Sequence, residues 1–330
     1  MTMSVTVGMN GFGRFGQHLL KYWLENAEKS KFIICYINDS GLTLGQAYKI
    51  LTTDKYYTDF FKSNFTLETD GLSTTINGDR LKIYYTNVKD ENINWLGKPD
   101  LFFECSGKNT DAPRVKKFIK NNTRLAIISA TSLNSDRVLV YGHNHKEFKA
   151  DHTIVSYGSC TVNAFVPLAS FIHRVYGVID SSVDVIHNVP EYILASQNTL
   201  SRKPCTLEVA GPQLLDFITV DNFNVNYTSV PYSGVSIIDF RFRLKTITST
   251  ERVIKVLKNA MNNGELHKLY RMDLLDSGPE DHKFSSYSAD LIEADIRLVG
   301  DNLYIQAYFD NENSVNRYYD LVQHTIQVMG

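Results

Sequence analysis

A chain of 330 residues, 43% apolar and 12% aromatic, can bury enough surface for two domains without help from metals or disulfides. Its 34 basic residues nearly balance 36 acidic ones, with no long run of either sign, which argues against nucleic acid or a membrane surface as a partner. No segment nears the roughly 20 apolar residues needed to span a bilayer, and the opening Met-Thr-Met-Ser-Val-Thr-Val lacks the basic-then-apolar order of a secretory leader, so a cytoplasmic location is expected.

Val5 to Met9 reads as a strand, Asn-Gly-Phe-Gly-Arg-Phe-Gly follows, and Phe15, Leu19, Leu20, Trp23 and Leu24 then recur at helical spacing. Phe32 to Ile37 is a second strand ending at Asn38 and Asp39, so a complete βαβ unit fits in the first forty residues. Short apolar runs at Leu81 to Tyr85, Leu101 to Glu104, Leu125 to Ile128 and Thr153 to Ser156 extend this into a mostly parallel sheet. From about Val183 longer alternating segments take over: Val183 to Ile186, Tyr232 to Leu244, Ala289 to Arg297 and Leu303 to Phe309. In Ser236 to Arg243 the even positions are mostly apolar, while Asp239, Arg241 and Arg243 point the other way. The expected fold is therefore α/β, a Rossmann-type dinucleotide-binding domain followed by an α+β catalytic domain with a mostly antiparallel sheet. The last segment returns to helical spacing, with Tyr319, Val322, Ile326 and Met329 on one stripe.

Gly11, Gly13 and Gly16 sit between strand and helix, where backbone amides and the helix dipole favour a diphosphate. Asp39, at the end of the second strand, suits a ribose hydroxyl and repels a 2′-phosphate, which selects NAD over NADP. The same glycine pattern also fits a purely structural turn.

The cysteines Cys35, Cys105, Cys160 and Cys205 show neither paired spacing nor a histidine at ligand spacing, so no disulfide framework or metal site is expected. Cys160 stands at the head of an apolar helical run, with Ser159 as its cap, a position that stabilises a thiolate. Taken alone it fits a buried structural thiol as readily as a nucleophile. His187, at the end of a strand, fits a hydrogen-bonded core histidine as readily as a base. His143 and His145 read as residues of a surface turn.

Together these residues resemble the glyceraldehyde-3-phosphate dehydrogenase family over nearly the whole chain. Asn10-Gly-Phe-Gly-Arg-Phe-Gly16 is similar to the family's Asn-Gly-Phe-Gly-Arg-Ile-Gly, and Ile37-Asn-Asp39 to its second-strand end. Ser106-Gly-Lys-Asn-Thr-Asp111, Ile127-Ile-Ser-Ala130, Ser159-Cys-Thr-Val-Asn163 and Phe309-Asp-Asn-Glu312 with Asn316-Arg317 resemble further motifs in the family's order. The resemblance implies Cys160 as nucleophile and His187 as base. It places Asn10, Gly11, Phe12, Gly13, Arg14, Phe15, Asp39, Ser106, Gly107, Ser129 and Asn311 around NAD, and Ser159 and Thr161 beside a small-molecule aldehyde. It further implies residues 1–159 as the NAD-binding domain, with helix 314–330 packing back on it, residues 160–313 as the catalytic domain, and a homo-oligomer, dimer or tetramer.

The family's phosphate ligands are missing at two places. Pro190 stands where a threonine follows the histidine, and Ser229 where an arginine precedes Val-Pro. An arginine fork gives phosphate two charge-assisted hydrogen bonds that serine cannot supply. The loop between His187 and Val230 is shorter than in the family, and its Ser-Thr-Gly segment is not recognisable. Arg202 with Lys203, or Arg241 with Arg243, are the candidate replacements. Three readings follow: an NAD-dependent aldehyde dehydrogenase with an altered substrate, an ordinary phosphorylating glyceraldehyde-3-phosphate or erythrose-4-phosphate dehydrogenase, and a non-catalytic NAD-binding interaction protein.

Overall fold

The structure is a computed structural model that describes residues 5–54, 57, 60–61, 64–76, 78–190, 193–232, 234–309 and 311–330. The chain forms two compact units. The first comprises Met1–Leu139, Lys146–Tyr157 and Tyr318–Gly330, and the second Val140–His145 and Gly158–Arg317.

In the first unit, strand β1 (Val5–Asn10) leads into helix α1 (Arg14–Glu25) and strand β2 (Phe32–Asn38). Helix α2 (Leu44–Thr53) starts at a capping box in which Thr43 and Gln46 satisfy each other's backbone N–H. Strands β3 (Thr66–Leu67), β4 (Gly71–Ile76) and β5 (Asp79–Thr86) form an antiparallel meander. Then come β6 (Leu101–Glu104), the short α3 (Ala112–Val115), β7 (Leu125–Ile128), β8 (Arg137–Val138) and β9 (Ile154–Ser156). The sheet order is β3-β4-β5-β2-β1-β6-β7-β9-β8, parallel from β5 onward. Its central run, β5-β2-β1-β6-β7-β9, is the doubly wound order whose switch point lies between β1 and β6, where ligands of such sheets bind. Every residue of β6 and β7 is buried, as a strand covered on both faces requires.

The C-terminal helix (Asn311–Met329) contributes its later turns to this unit. Tyr318 is fully buried, donates its hydroxyl to Ile127 O at 2.8 Å, and meets Phe15, Phe103 and Tyr157 edge-on. Tyr319 and Val322 are buried with it, as the helical stripe predicts.

The second unit starts with helix α4 (Cys160–Tyr176) and strand β10 (Val178–His187). There follow β11 (Ser201–Arg202), α5 (Thr206–Leu214), β12 (Phe223–Ser229), β13 (Ser236–Leu244) and α6 (Thr250–Asn263). Strands β14 (Tyr270–Asp273), β15 (Ala289–Ile292), β16 (Arg297–Val299) and β17 (Asn302–Phe309) complete it. The order β11-β12-β10-β13-β17-β15-β14 is antiparallel except for the pairs β10/β12 and β14/β15, and β16 adds to β17. The alternation along β13 holds, with Ser236, Ile238, Phe240, Phe242 and Leu244 buried. The run Ala289 to Arg297 is not one strand: a 3₁₀ turn at Glu293–Asp295 splits it, closed by Ile296 N–H on Glu293 O. Strand β12 is an addition to the expected strands: Phe223, Val225 and Tyr227 alternate with Asn224, Asn226 and Thr228, a strand period that the two asparagines, poor strand formers, make easy to overlook.

Helix α4 is buried from Thr161 to Ala169, and Phe165 stacks on Phe223, Phe240 and Phe242 of the sheet. Pro167 stands inside it and has no N–H to give to Asn163 O. The buried Tyr270 hydroxyl repairs that break: it accepts from Leu168 N–H at 3.1 Å and shares its proton between Ala164 O (2.9 Å) and Asn163 O (3.3 Å). Tyr270→Phe would strand these groups in the core, so an unfolding free-energy loss of about 1–3 kcal/mol is expected in denaturant titration. A change within about 0.5 kcal/mol would show that the helix needs no such repair.

Candidate active site

In the first unit the glycine turn lies at the sheet's switch point. Gly11 has φ +97°, and a Cβ there would come within 2.2 Å of Ser106 N, so only glycine lets the β1 and β6 loops close on each other. Gly13 is the N-cap of α1, and the first turn leads with amides that the helix itself cannot satisfy. Phe12 is fully buried against Tyr85 and gives its N–H to Asp39, while Phe15, in the first turn of α1, packs its ring on Tyr157 and Tyr318. Arg14 is buried in the same turn.

Asp39 accepts three backbone N–H groups: Phe12 on Oδ2 at 2.7 Å, and Gly41 (2.7 Å) and Leu42 (3.0 Å) on Oδ1. Oδ2 keeps a lone pair for a ribose hydroxyl, so these residues fit a dinucleotide. Ser106 gives both N–H and hydroxyl to Glu104, Gly107 takes φ +68°, and Ser129 N–H donates to Glu104 O. Asn311 opens the C-terminal helix, but its side chain lies outside the described residues.

In the second unit, Gly158 at φ +88° turns the chain into α4, and Ser159 caps it by accepting Val162 N–H. Cys160 is thus the first helical residue, half-buried. His187 is the last residue of β10 and is buried. Its Nδ1 lies 2.8 Å from Asn188 O, a carbonyl that can only accept, so Nδ1 carries the proton and Nε2 the lone pair. Nε2 faces Cys160 Sγ at 3.4 Å. The imidazole is held between Tyr227, stacked at 5.4 Å, and the edge of Phe309 at 5.8 Å. Burial, then the nearby Cys160 and Cys205, pushes the Tyr227 phenol far up, so it stays neutral.

Ser159 and Thr161 belong to a hydroxyl cluster whose third member sequence reasoning missed. Thr206, at the head of α5, donates to Ser159 Oγ at 3.1 Å, and Ser159 Oγ lies 3.1 Å from Thr161 Oγ1. Two helix N-termini therefore carry hydroxyls to one place beside Cys160, an arrangement suited to an anion. The only sequence signal was a threonine heading a helical run after Cys205.

The candidate replacement cations are corrected by strand register. His187 pairs with Ser229 and Ser229 with Ser201, so these share one sheet face, while Arg202 pairs with Thr228 on the other. Arg202 there reaches Asn226 Oδ1. Arg241 lies opposite Ser182 and binds Asp180, Ser182 and Asn302; Arg243 binds Asp180 and Asp301. Carboxylates already neutralise this pair on the face away from His187. Lys203 is exposed just past β11, with its N–H on Tyr227 O. His143 and His145 sit in the turn before β9, bonded to Leu214 O and Gly142 N–H.

Among the described residues no helix is long and apolar enough to cross a membrane. Residues 5–112 match the model of the glyceraldehyde 3-phosphate dehydrogenase NAD binding domain. The chain is similar to the plasmid-encoded glyceraldehyde-3-phosphate dehydrogenase of Cupriavidus necator, at 29% identity over 94% of this chain and 95% of that one. It is also similar to glyceraldehyde-3-phosphate dehydrogenase of Hypocrea atroviridis (28%, covering 99% and 98%) and glyceraldehyde-3-phosphate dehydrogenase 2 of Trichormus variabilis (27%, covering 93% and 94%). With the doubly wound sheet, the glycine turn and the motifs in their order, these likenesses support a member of the glyceraldehyde-3-phosphate dehydrogenase family, with an NAD-binding domain at its start.

Proposed function

We propose that the protein oxidises an aldehyde with NAD through a thioester on Cys160. The observation that carries this reading is the 3.4 Å approach of His187 Nε2 to Cys160 Sγ, with Nδ1 already spent on Asn188 O. NAD, when bound, supplies the hydride acceptor. His187 Nε2 takes the thiol proton, sulfur bonds to the carbonyl carbon, and the oxygen takes the proton back to give a thiohemiacetal. As hydride departs, Nε2 receives the hydroxyl proton and the C=O re-forms as a thioester. The amides that lead α4, with the imidazolium, are the groups this reading assigns to the oxyanion.

The cluster of Ser159, Thr161 and Thr206 supports phosphate as the acceptor that releases the thioester as an acyl phosphate. Ser229, buried and uncharged on the His187 face, supports an altered substrate, an aldehyde without the terminal phosphate that an arginine would grip. An ordinary phosphorylating glyceraldehyde-3-phosphate or erythrose-4-phosphate dehydrogenase is the second reading, favoured by the same hydroxyl cluster and by Lys203.

The test is NADH formation from a panel of phosphorylated and unphosphorylated aldehydes, with and without inorganic phosphate. Preference for unphosphorylated aldehydes supports the first reading, and selective turnover of glyceraldehyde-3-phosphate the second. Silence across the panel, with no single-turnover burst, overturns both and leaves a non-catalytic NAD-binding protein. Thr206→Ala is expected to raise the KM for phosphate by roughly tenfold while sparing the burst. An unchanged phosphate KM would remove the cluster from the acceptor site.

A further inference from the structure

Beneath the glycine turn of the first unit lies a closed ring of two carboxylates and two carboxamides. Glu104, at the end of β6 and 1% exposed, accepts Asn10 Nδ2 (2.9 Å) and Asn109 Nδ2 (3.1 Å) on Oε2. On Oε1 it accepts Ser106 N–H (2.8 Å) and the Ser106 hydroxyl. The same two amides give their other protons to Asp90, Asn10 to Oδ1 at 3.2 Å and Asn109 to Oδ2 at 2.9 Å. Asn10 Oδ1 in turn accepts from Asn38, whose own carbonyl oxygen takes the Thr86 hydroxyl and Val88 N–H. The ends of β1, β2, β5 and β6 are thereby tied to one carboxylate.

Glu104 is surrounded by donors on both oxygens, so only its ionised form satisfies all four. Stability alone does not explain it. Burial pushes the Glu104 carboxyl up, against the pull of Ser106, Asn10 and Asn109. A carboxyl raised on folding stabilises the fold when protonated, and that contribution is lost as pH rises through the folded value. At neutral pH the charge is therefore held at a cost to the fold.

We infer that Glu104 is a positioning residue for the dinucleotide: its carboxylate sets the distance between the Asn10-Gly11 turn and the Ser106-Gly107 loop, which Gly11 lets close on each other. A neutral Glu104 leaves one N–H or O–H in the ring without an acceptor, and the two loops lose their common anchor. Among the described residues, the other titratable groups around it are Asp90, across the ring and itself paired with Lys117 at 3.1 Å, and Cys105 and Tyr318, both kept neutral, chiefly by burial. Burial works against the Asp90 charge, but hydrogen bonds from Asn109 and Lys117 hold that carboxyl below its usual range, so it stays ionised while Glu104 titrates.

The experiment is NAD binding to the full chain by calorimetry from pH ~8 to pH ~5, with thermal unfolding alongside, for wild type, Glu104→Gln and Asp90→Asn. Wild-type affinity is expected to fall on acidification at a pH above the usual glutamate range. Glu104→Gln, folded and no less thermostable at neutral pH, is expected to bind NAD roughly tenfold more weakly with that pH dependence gone. Asp90→Asn is expected to weaken binding less and keep the pH dependence. Wild-type affinity that is flat across the range overturns the inference whether or not the variant folds. So does a Glu104→Gln protein that keeps wild-type affinity, or one that keeps the pH dependence, since the proton would then belong to another group.

Discussion

Cys160→Ala is expected to lower aldehyde-dependent NADH formation by about 10⁴-fold or more, since among the described residues of the second unit no other thiol has an imidazole on its sulfur to form the covalent intermediate. The reason lies in where the four thiols sit. Burial pushes Cys35, Cys105 and Cys205 upward, so their thiolates are disfavoured. Cys160 alone heads a long helix with an imidazole lone pair on its sulfur. Alkylation by iodoacetamide should then be selective for Cys160 and faster than for an ordinary thiol near pH 7, as peptide mass spectrometry would read. The Ala variant should still bind NAD, because Cys160 lies outside the dinucleotide constellation. A Cys160→Ala protein that still turns over aldehyde at wild-type rates would end the thioester reading, and equal labelling of all four cysteines would show that the helix and His187 do not activate the sulfur.

Much of this was legible in the sequence, for a physical reason. A buried parallel strand, a glycine turn and an amphipathic helix each leave a local signature, so β1, α1 and β2 lie where the spacing places them. The capped start of α4 was visible in the same way, from Ser159 and the apolar run behind Cys160. What stayed hidden depends on residues far apart in the chain. The pairing of Arg241 and Arg243 with Asp180 and Asp301 follows from the register of β10 and β13, and no local pattern announces it. Thr206 joins Ser159 across 47 residues. The Tyr270 hydroxyl reaches Pro167's turn from more than a hundred residues away. Each is a polar contact whose partner is chosen by topology, and hydrophobic periodicity carries no information about it.

His187→Asn is expected to cut kcat by roughly 10²–10⁴-fold, with KM for the aldehyde changed far less, because the ring's contribution is made to proton movement in the transition state. Asparagine keeps a hydrogen-bonding side chain at the end of β10, so the strand and the Asn188 carbonyl need not move. The pH profile separates base from scaffold. Nδ1 is committed to Asn188 O, leaving Nε2 as the ring's only exchangeable site toward sulfur; acidification protonates that site and removes both the thiol's proton acceptor and the later acceptor of the hydroxyl proton. Wild-type kcat should therefore fall on the acidic side, and the Asn variant should lose that limb while remaining low throughout. A structural role would instead lower thermal stability and leave the shape of the profile intact. Retention of the acidic limb in His187→Asn would assign the titrating group elsewhere, and a kcat near wild type would show that the 3.4 Å contact is packing alone.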